Sequence, residues 1–314
     1  MVRVVVVGCG GIGSRHAQGA AKCPEVSQID CVEISEDNIS LSKSRLKEID
    51  HDKKVNFYRQ ITDLTGNVDV CIIATPSGVR KKVLLDVLEQ VTVRSFILEK
   101  IVFQEEEEFE LIIETLASRG IKCWVNCYSR AEERYKYIKD NISKNEILKM
   151  EAAYPNPPNF NLASSAIHSI DLFCYFRDNY QLDLDLSGLE DTLISSKHVG
   201  YSEFRGTIKA KNNLGDSLVI MPAPVDSLTY TIRSEDTEYV CSENKDYFTL
   251  NSGTPKAVIE SKFLWQNSLT NLYINDIVNN NKCALPTLEE SFKIHRVMFE
   301  SIRKHFGIKR VNIT

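Results

Sequence analysis

Val2-Arg3-Val4-Val5-Val6-Val7-Gly8-Cys9-Gly10-Gly11-Ile12-Gly13 is a β-branched run that passes directly into G-x-G-x-x-G. The run reads as a strand, and Ser14 to Lys22 behind it read as a helix. A glycine pattern alone is weak evidence; a strand before it and a helix after it make it a dinucleotide fingerprint. Each glycine then has a task. Gly8 makes the tight turn, Gly10 admits a pyrophosphate close to the backbone, and Gly13 lets helix and strand pack closely. With Gly11 and Ile12 they form the expected cofactor loop. The helix start offers its free N–H groups and positive dipole end to the anion.

Working outward, Gln28-Ile29-Asp30-Cys31-Val32-Glu33 reads as a second strand, with Glu33 at its end. Glu33 stands 20 positions beyond Gly13, the spacing of an acid that accepts from an adenosine ribose. A carboxylate there repels a 2′-phosphate, so NAD is expected as cofactor ahead of NADP. The plainer alternative is a glycine-rich loop in another kind of α/β protein, with Glu33 merely solvated.

Strands are expected at 2–7, 28–34, 55–59, 68–75, 95–100 and 121–127, with helices at 14–22, 36–48, 77–90 and 104–119. The runs at 68–75 and 95–100 are nearly all apolar, as in strands buried on both faces of a parallel sheet. Strand–helix alternation implies an α/β, doubly wound Rossmann domain over 1–127. After residue 128 the rhythm changes. A helix at 131–142, a strand at 147–154, the Pro155–Pro158 segment and a helix at 163–177 come first. Short β-like stretches follow from 192 to 261, with turn signals at Asn212-Asn213, Pro222 and Asn251-Ser252-Gly253. Two helices, 265–280 and 287–306, close the chain. The expectation is a second, α+β domain over 128–314 with an open, mainly antiparallel sheet. In the last helix Leu288, Phe292, His295, Phe299, Ile302 and Phe306 share one face, so His295 reads as a core residue.

The composition removes several classes. At 314 residues the chain is long enough for two domains, and 43% hydrophobic with 26% charged residues is ordinary globular usage. The net charge of −5, without a basic run interleaved with aromatics, argues against nucleic acid as a partner. The apolar start runs into glycines after about six residues, too short for a secretory or spanning segment. Membrane association is therefore not expected. The nine cysteines are scattered, and Cys31, Cys71 and Cys123 fall inside apolar strands. Cys123 and Cys127 form C-x3-C, which is neither a zinc nor a thioredoxin spacing. A reducing cytoplasm and no structural metal are expected. The acidic run Glu105 to Glu108 suits the start of a helix.

Ligands of such folds bind outside the carboxyl ends of the parallel strands. Ala74-Thr75-Pro76-Ser77 and Glu99-Lys100 fall there, and both patches are candidate cofactor contacts. Beside a nicotinamide, a desolvated Lys100 is a usable proton-transfer group. A lysine at a strand end is also often only a solvated charge.

These residues carry a family resemblance that spans nearly the whole chain. The chain resembles the glucose–fructose oxidoreductase / inositol dehydrogenase (Gfo/Idh/MocA) family in the Gly8–Gly13 loop, Ala74–Ser77, Glu99-Lys100, and Arg130 with Tyr135. The resemblance continues through Ile167-His168-Ser-Ile-Asp171-Leu172 and Ala284-Leu-Pro-Thr287-Leu-Glu-Glu-Ser. It implies a Rossmann domain, a second domain whose open sheet mediates a homodimer or homotetramer, and hydride transfer at a sugar or polyol carbon. The catalytic roles fall on Lys100 and His168. Two positions depart: the family's E-K-P proline is Ile101, and the Asp four residues before the His is Ser164. Ser164 shares a helix face with His168 but carries no charge. Asp171 either orients the His168 ring or bonds backbone at a domain junction. Asn161 to Phe173 and Trp124-Val-Asn126 resemble members linked to surface-polysaccharide and nonulosonic acid biosynthesis. A nucleotide-activated sugar is then the implied partner. Arg130 either meets its carboxylate or phosphate bidentately or locks a helix through a salt bridge. Tyr128 and Tyr154 either stack on a sugar ring or belong to the core.

Three functions fit the sequence. The first is an NAD-dependent oxidoreductase acting on a carbohydrate CH–OH group. The second is a relative that retains NAD and runs elimination or glycoside cleavage without net redox. The third is a dinucleotide-binding sensor or scaffold that catalyses nothing.

Overall fold

A computed structural model of the protein describes residues 2–155, 161–252 and 256–314. Asn156, Pro157 and Pro158 of the Pro-rich segment, and the turn glycine Gly253, lie outside the described residues. In chain order the elements are β1 (Val2–Val7), α1 (Gly13–Lys22), β2 (Val26–Val32), α2 (Glu36–Lys47), β3 (Lys54–Tyr58), β4 (Asn67–Ile73), α3 (Ser77–Gln90), β5 (Thr92–Leu98), α4 (Glu106–Ser118) and β6 (Lys122–Val125). A short 3-10 turn, Tyr128–Ala131, leads into α5 (Glu133–Asn141), β7 (Lys149–Pro155) and α6 (Leu162–Arg177). Then come β8 (Leu182–Leu189), β9 (Ile194–Ser195), β10 (Ser202–Glu203), β11 (Gly206–Asn212), β12 (Ser217–Ala223), β13 (Thr229–Arg233), β14 (Glu238–Ser242), β15 (Tyr247–Asn251), β16 (Ala257–Glu260), α7 (Gln266–Asn280) and α8 (Leu288–Phe306).

The chain forms two compact units, Met1–Tyr128 with Leu264–Glu289, and Ser129–Phe263 with Glu290–Thr314. The first is built on a six-stranded sheet in the order β3-β2-β1-β4-β5-β6, with every pairing parallel. This is the doubly wound α/β fold expected from the alternation of strands and helices. Val4 to Val6, Val70 to Ile73 and Phe96 to Leu98 have no exposed surface, because helices cover both faces of the sheet. The order reverses between β1 and β4, which creates a crevice at their carboxyl ends.

One assignment differs from the sequence division at residue 128. Leu264–Glu289, with α7, belongs to the first unit and not to the second. The reason is a close helix–helix contact, in which α7 packs on α1 at Gly19. A Cβ on Gly19 would lie 2.6 Å from both the Asn267 carbonyl oxygen and Thr270 Cβ. Glycine is what lets the two backbones approach.

The second unit holds an eight-stranded sheet in the order β16-β15-β14-β13-β7-β12-β11-β8. Only β7 and β12 pair parallel, so the open sheet is mainly antiparallel, as expected. Buried positions alternate along its strands: Met150, Ala152 and Tyr154 on β7, Leu218 and Ile220 on β12, Tyr230 and Ile232 on β13. β8 was not expected, although Leu182-Asp183-Leu184-Asp185-Leu186 alternates apolar and acidic residues. On α8, His295, Phe299 and Ile302 are buried, and the His295 ring bonds the Ser291 carbonyl one turn back, which bears out the core reading. Among the described residues no helix is long and apolar enough to cross a membrane.

Two outcomes are expected of the fold. Gly19→Val forces α1 and α7 apart and lowers stability by about 1–3 kcal/mol in urea denaturation; an unchanged midpoint would remove the close-approach argument. In the second unit, burial pushes the Glu132 carboxyl up to about 8, although the Arg134 guanidinium pulls it down. A raised native value means that the native state holds a proton the unfolded chain has lost, so this group's contribution to stability falls as pH rises from 4.5 to about 8. Glu132→Gln should therefore gain on the unaltered protein between pH ~5 and ~9. An equal difference at both pH values rejects the assignment.

Candidate functional site

The first unit's chemistry collects at the carboxyl ends of β1, β2, β4 and β5. Gly8 has φ +84°, and a Cβ on Gly13 would fall 1.8 Å from the Gly8 carbonyl oxygen, so both glycines are required by the turn. A Cβ at Gly11 would meet nothing within 4 Å, and one at Gly10 only the Asn38 side chain at 3.5 Å. The loop surface at Gly10 and Gly11 is therefore open to close approach. Glu33 fixes this loop: its two carboxylate oxygens accept from the Cys9 amide at 2.7 Å and the Ser35 amide at 2.9 Å. Ser42 Oγ donates to the Cys9 carbonyl at 2.9 Å, Ser14 Oγ to that of Gly10 at 2.6 Å, and Arg45 to that of Gly11. The loop thus keeps its shape through its carbonyls, two of which also take the first amides of α1: Ser14 N–H donates to Gly10 at 3.0 Å, and Arg15 and His16 N–H to Ile12 at 2.9 and 3.1 Å.

Beside it, Ala74 and Thr75 follow β4, Pro76 precedes α3, and Ser77 opens that helix. Thr75 Oγ1 is buried with no hydrogen-bond partner among the described residues, and Gln104 donates to Ser77 Oγ. A glycine cradle, an acid at the end of β2 and an orphaned hydroxyl at the end of β4 fit a dinucleotide.

Glu99 does not behave as expected. One carboxylate oxygen, Oε1, is engaged within the chain, by His16 Nε2 at 2.9 Å and Asn126 Nδ2 at 2.5 Å. Burial works against its charge, but His16 and Asn126 outweigh that and hold it down at about 2. The sequence reading also missed Arg80. This buried guanidinium donates to the carbonyls of Glu99 at 2.6 Å and Val102 at 2.8 Å, and to those of Thr75 and Ile101. It ties the loop after β4 to the loop after β5, the loop that carries Lys100. The Lys100–Ile101 peptide bond is cis. Arg80 and His16 carry no motif of their own; their only signal in the sequence is a polar residue on the buried face of a helix.

In the second unit, α6 carries Ser164 and His168, 4% and 7% exposed. Glu203 from β10 accepts from the Ala163 amide at 2.8 Å, placing a carboxylate at the start of that helix. Asp171 neither orients the His168 ring nor bonds backbone. Its oxygens take Arg130 Nε at 2.9 Å and Nη2 at 2.6 Å. Arg130 Nη1 reaches Glu290 at 3.2 Å, and its guanidinium lies 5.1 Å from the Tyr175 ring centre. The salt-bridge reading of Arg130 therefore holds, and its fork is taken internally. Burial pushes the Asp171 carboxyl up to about 6 against the pull of Arg130, whose own charge Asp171 reinforces. Tyr154 is buried, its hydroxyl donating to the Gly206 carbonyl at 2.7 Å, so it belongs to the core. Tyr128, half-buried, ends the first segment of the first unit.

The glycine cradle on a sheet of this order defines a dinucleotide-binding Rossmann unit, joined in one chain to a unit built on a mixed sheet. Residues 2–127 match a family model described as "Oxidoreductase family, NAD-binding Rossmann fold", that of Gfo/Idh/MocA. A search of curated proteins gives no match. Among solved structures the chain is similar to UDP-N-acetylglucosamine 3-dehydrogenase GnnA from Acidithiobacillus ferrooxidans, at 12% identity and TM-score 0.72, covering 96% of each chain. It is also similar to biliverdin reductase from Synechocystis sp. PCC 6803, solved with biliverdin and NADP+, at 16% identity and TM-score 0.71, covering 98% of this chain and 99% of that one. These likenesses extend the shared fold to the whole chain.

Because Arg130 is 5% exposed and Asp171 fully buried, Asp171→Asn leaves an uncompensated charge. A loss of about 3–5 kcal/mol in chemical denaturation is expected. A loss of activity at unchanged stability would return Asp171 to the chemistry.

Proposed function

We propose that the protein is an oxidoreductase that uses NAD in preference to NADP and acts on a CH–OH group of a carbohydrate, nucleotide-activated in the favoured case. The observation that carries the reading is Glu33. Two backbone amides hold its carboxylate at the end of β2 beside the glycine loop, where it accepts from a ribose and repels a 2′-phosphate. The substrate class rests on the sequence resemblance, and the fold likeness to a UDP-N-acetylglucosamine dehydrogenase makes that sugar nucleotide the first probe.

Gly8, Gly10, Gly11, Ile12 and Gly13 would seat the pyrophosphate on the start of α1, with Ala74 to Ser77 beside it. Bound there, the nicotinamide supplies the hydride acceptor or donor. The sequence resemblance gives the handling of the hydroxyl proton to Lys100 Nζ, and names the His168 ring for the same kind of role. Ser164, one helical turn before His168, offers a hydroxyl in place of the family's carboxylate. Arg130, paired internally with Asp171 and Glu290, has a structural role in this reading.

Titration with NADH and NADPH, followed by dinucleotide fluorescence, tests the cofactor half. NADH should bind more tightly, and Glu33→Ala should narrow the difference. Binding of neither nucleotide at millimolar concentration defeats the proposal. With UDP-N-acetylglucosamine and NAD, Lys100→Ala should lower turnover by about 10²–10⁴-fold. Full turnover in that variant removes Lys100 from the chemistry.

A further inference from the structure

Behind Lys100, five side chains of the first unit close a ring of hydrogen bonds. His16 Nε2 meets Glu99 Oε1 at 2.9 Å, and Asn126 Nδ2 donates to the same oxygen at 2.5 Å and to Gln266 Oε1 at 3.0 Å. Gln266 Nε2 donates to Thr270 Oγ1 at 3.1 Å, and that hydroxyl meets His16 Nδ1 at 2.9 Å. The ring draws on α1, α7 and the ends of β5 and β6, and His16 and Thr270 have no exposed surface.

A carboxylate has no proton to give, so His16 Nε2 is the donor toward Glu99 whichever way the Thr270 hydroxyl turns. The Glu99 backbone is fixed as well. Its amide donates to the Ile73 carbonyl at 3.0 Å, and its carbonyl accepts from Arg80 at 2.6 Å. His16 stands three positions after Gly13, and Glu99 directly before Lys100. The ring therefore joins the helix that starts on the cofactor loop to the residue that presents Lys100. The charged groups facing the Glu99 carboxylate are His16 from α1 and Lys100 from its own loop. Arg80, from α3, is engaged with the Glu99 carbonyl.

We infer that His16 is a positioning residue for Lys100: by donating to Glu99 it keeps that carboxylate a fixed negative charge, which holds the Lys100 side chain as an ammonium in register with the cofactor loop. The inference rests on the proposed function, in which Lys100 handles the hydroxyl proton. Without the His16 donor, burial of Glu99 is opposed less strongly and its negative charge beside Lys100 is weakened.

The test is a pH titration of the full-length protein with lysines ¹³C-dimethylated, the Lys100 resonance being identified by Lys100→Arg. Glu99→Gln and His16→Leu should each lower the Lys100 midpoint by about one unit. His16→Gln, which restores a neutral N–H toward Glu99, should titrate as the unaltered protein does. Should the leucine variant not fold, His16→Asn, whose side chain is too short to span both Thr270 and Glu99, is read in its place. Coincident midpoints in all the variants overturn the inference. So does a shift in Glu99→Gln that His16→Leu does not share, or a His16→Gln variant that follows the leucine one. NADH titration of the same samples is separate: absence of binding defeats the proposed function and leaves the Lys100 comparison standing.

Discussion

The functional end of the first sheet depends on the Arg80 guanidinium. Parallel strands end with carbonyls that no neighbouring strand can satisfy, and each one left unpaired in the interior costs about 1–3 kcal/mol. Arg80, 2% exposed on α3, answers four of them, at Thr75, Glu99, Ile101 and Val102. A planar cation with five donors suits this task where a lysine does not, because its N–H groups diverge in one plane toward acceptors on two loops. The loops after β4 and β5 thereby behave as one rigid edge. A side chain on that edge, Lys100 above all, is held more precisely than one on a free loop.

What could be read in the sequence follows from the range of the interactions. The cofactor loop and Glu33 were legible because turn, helix start and acid obey local rules of spacing, and the structure joins them through one bond from the Cys9 amide to Glu33. The strand–helix alternation gave the first sheet for the same reason. Arg80, His16 and Asn126 were not legible, since their partners come from distant parts of the chain; His16 and Thr270 are 254 positions apart. The placement of α7 failed on similar grounds. Chain order put it after the mixed sheet, while Gly19, a glycine with no turn to make, recorded its contact with α1. Glu99 was read as a cofactor contact because Glu99-Lys100 ends a parallel strand at the carboxyl edge, where ligands bind; its bonds to His16 and Asn126 come from parts of the chain that local spacing does not reveal.

The second unit shows a different economy of charge. Arg130 had been open to two readings, and geometry chooses between them: 41 positions separate it from Asp171, yet both Asp171 oxygens are within hydrogen-bond distance of its fork. Desolvating such a pair costs several kcal/mol, which the bidentate bonds and the flanking Tyr180 and Glu290 offset. An arginine so committed serves to fix the approach to α5 against α6, with four of its five N–H groups spent inside the chain.

The two departures from the family pattern differ in kind. At Ile101 the chain loses a ring that sets φ, but the side chain is fully buried and the carbonyl is engaged by Arg80, so anchoring comes from packing and a hydrogen bond. That change is compensated within the same loop. At Ser164 a charge is lost, and no rearrangement of a hydroxyl restores it. The carboxylate at the start of α6 comes instead from Glu203, 40 positions away and bonded to the Ala163 amide next to Ser164. Negative charge at that end of the helix is thus retained, but it is spent on the helix dipole and a backbone N–H. Ser164 thus brings no charge to the turn before His168, and Asp171, three positions after it on the same helix, is committed to Arg130.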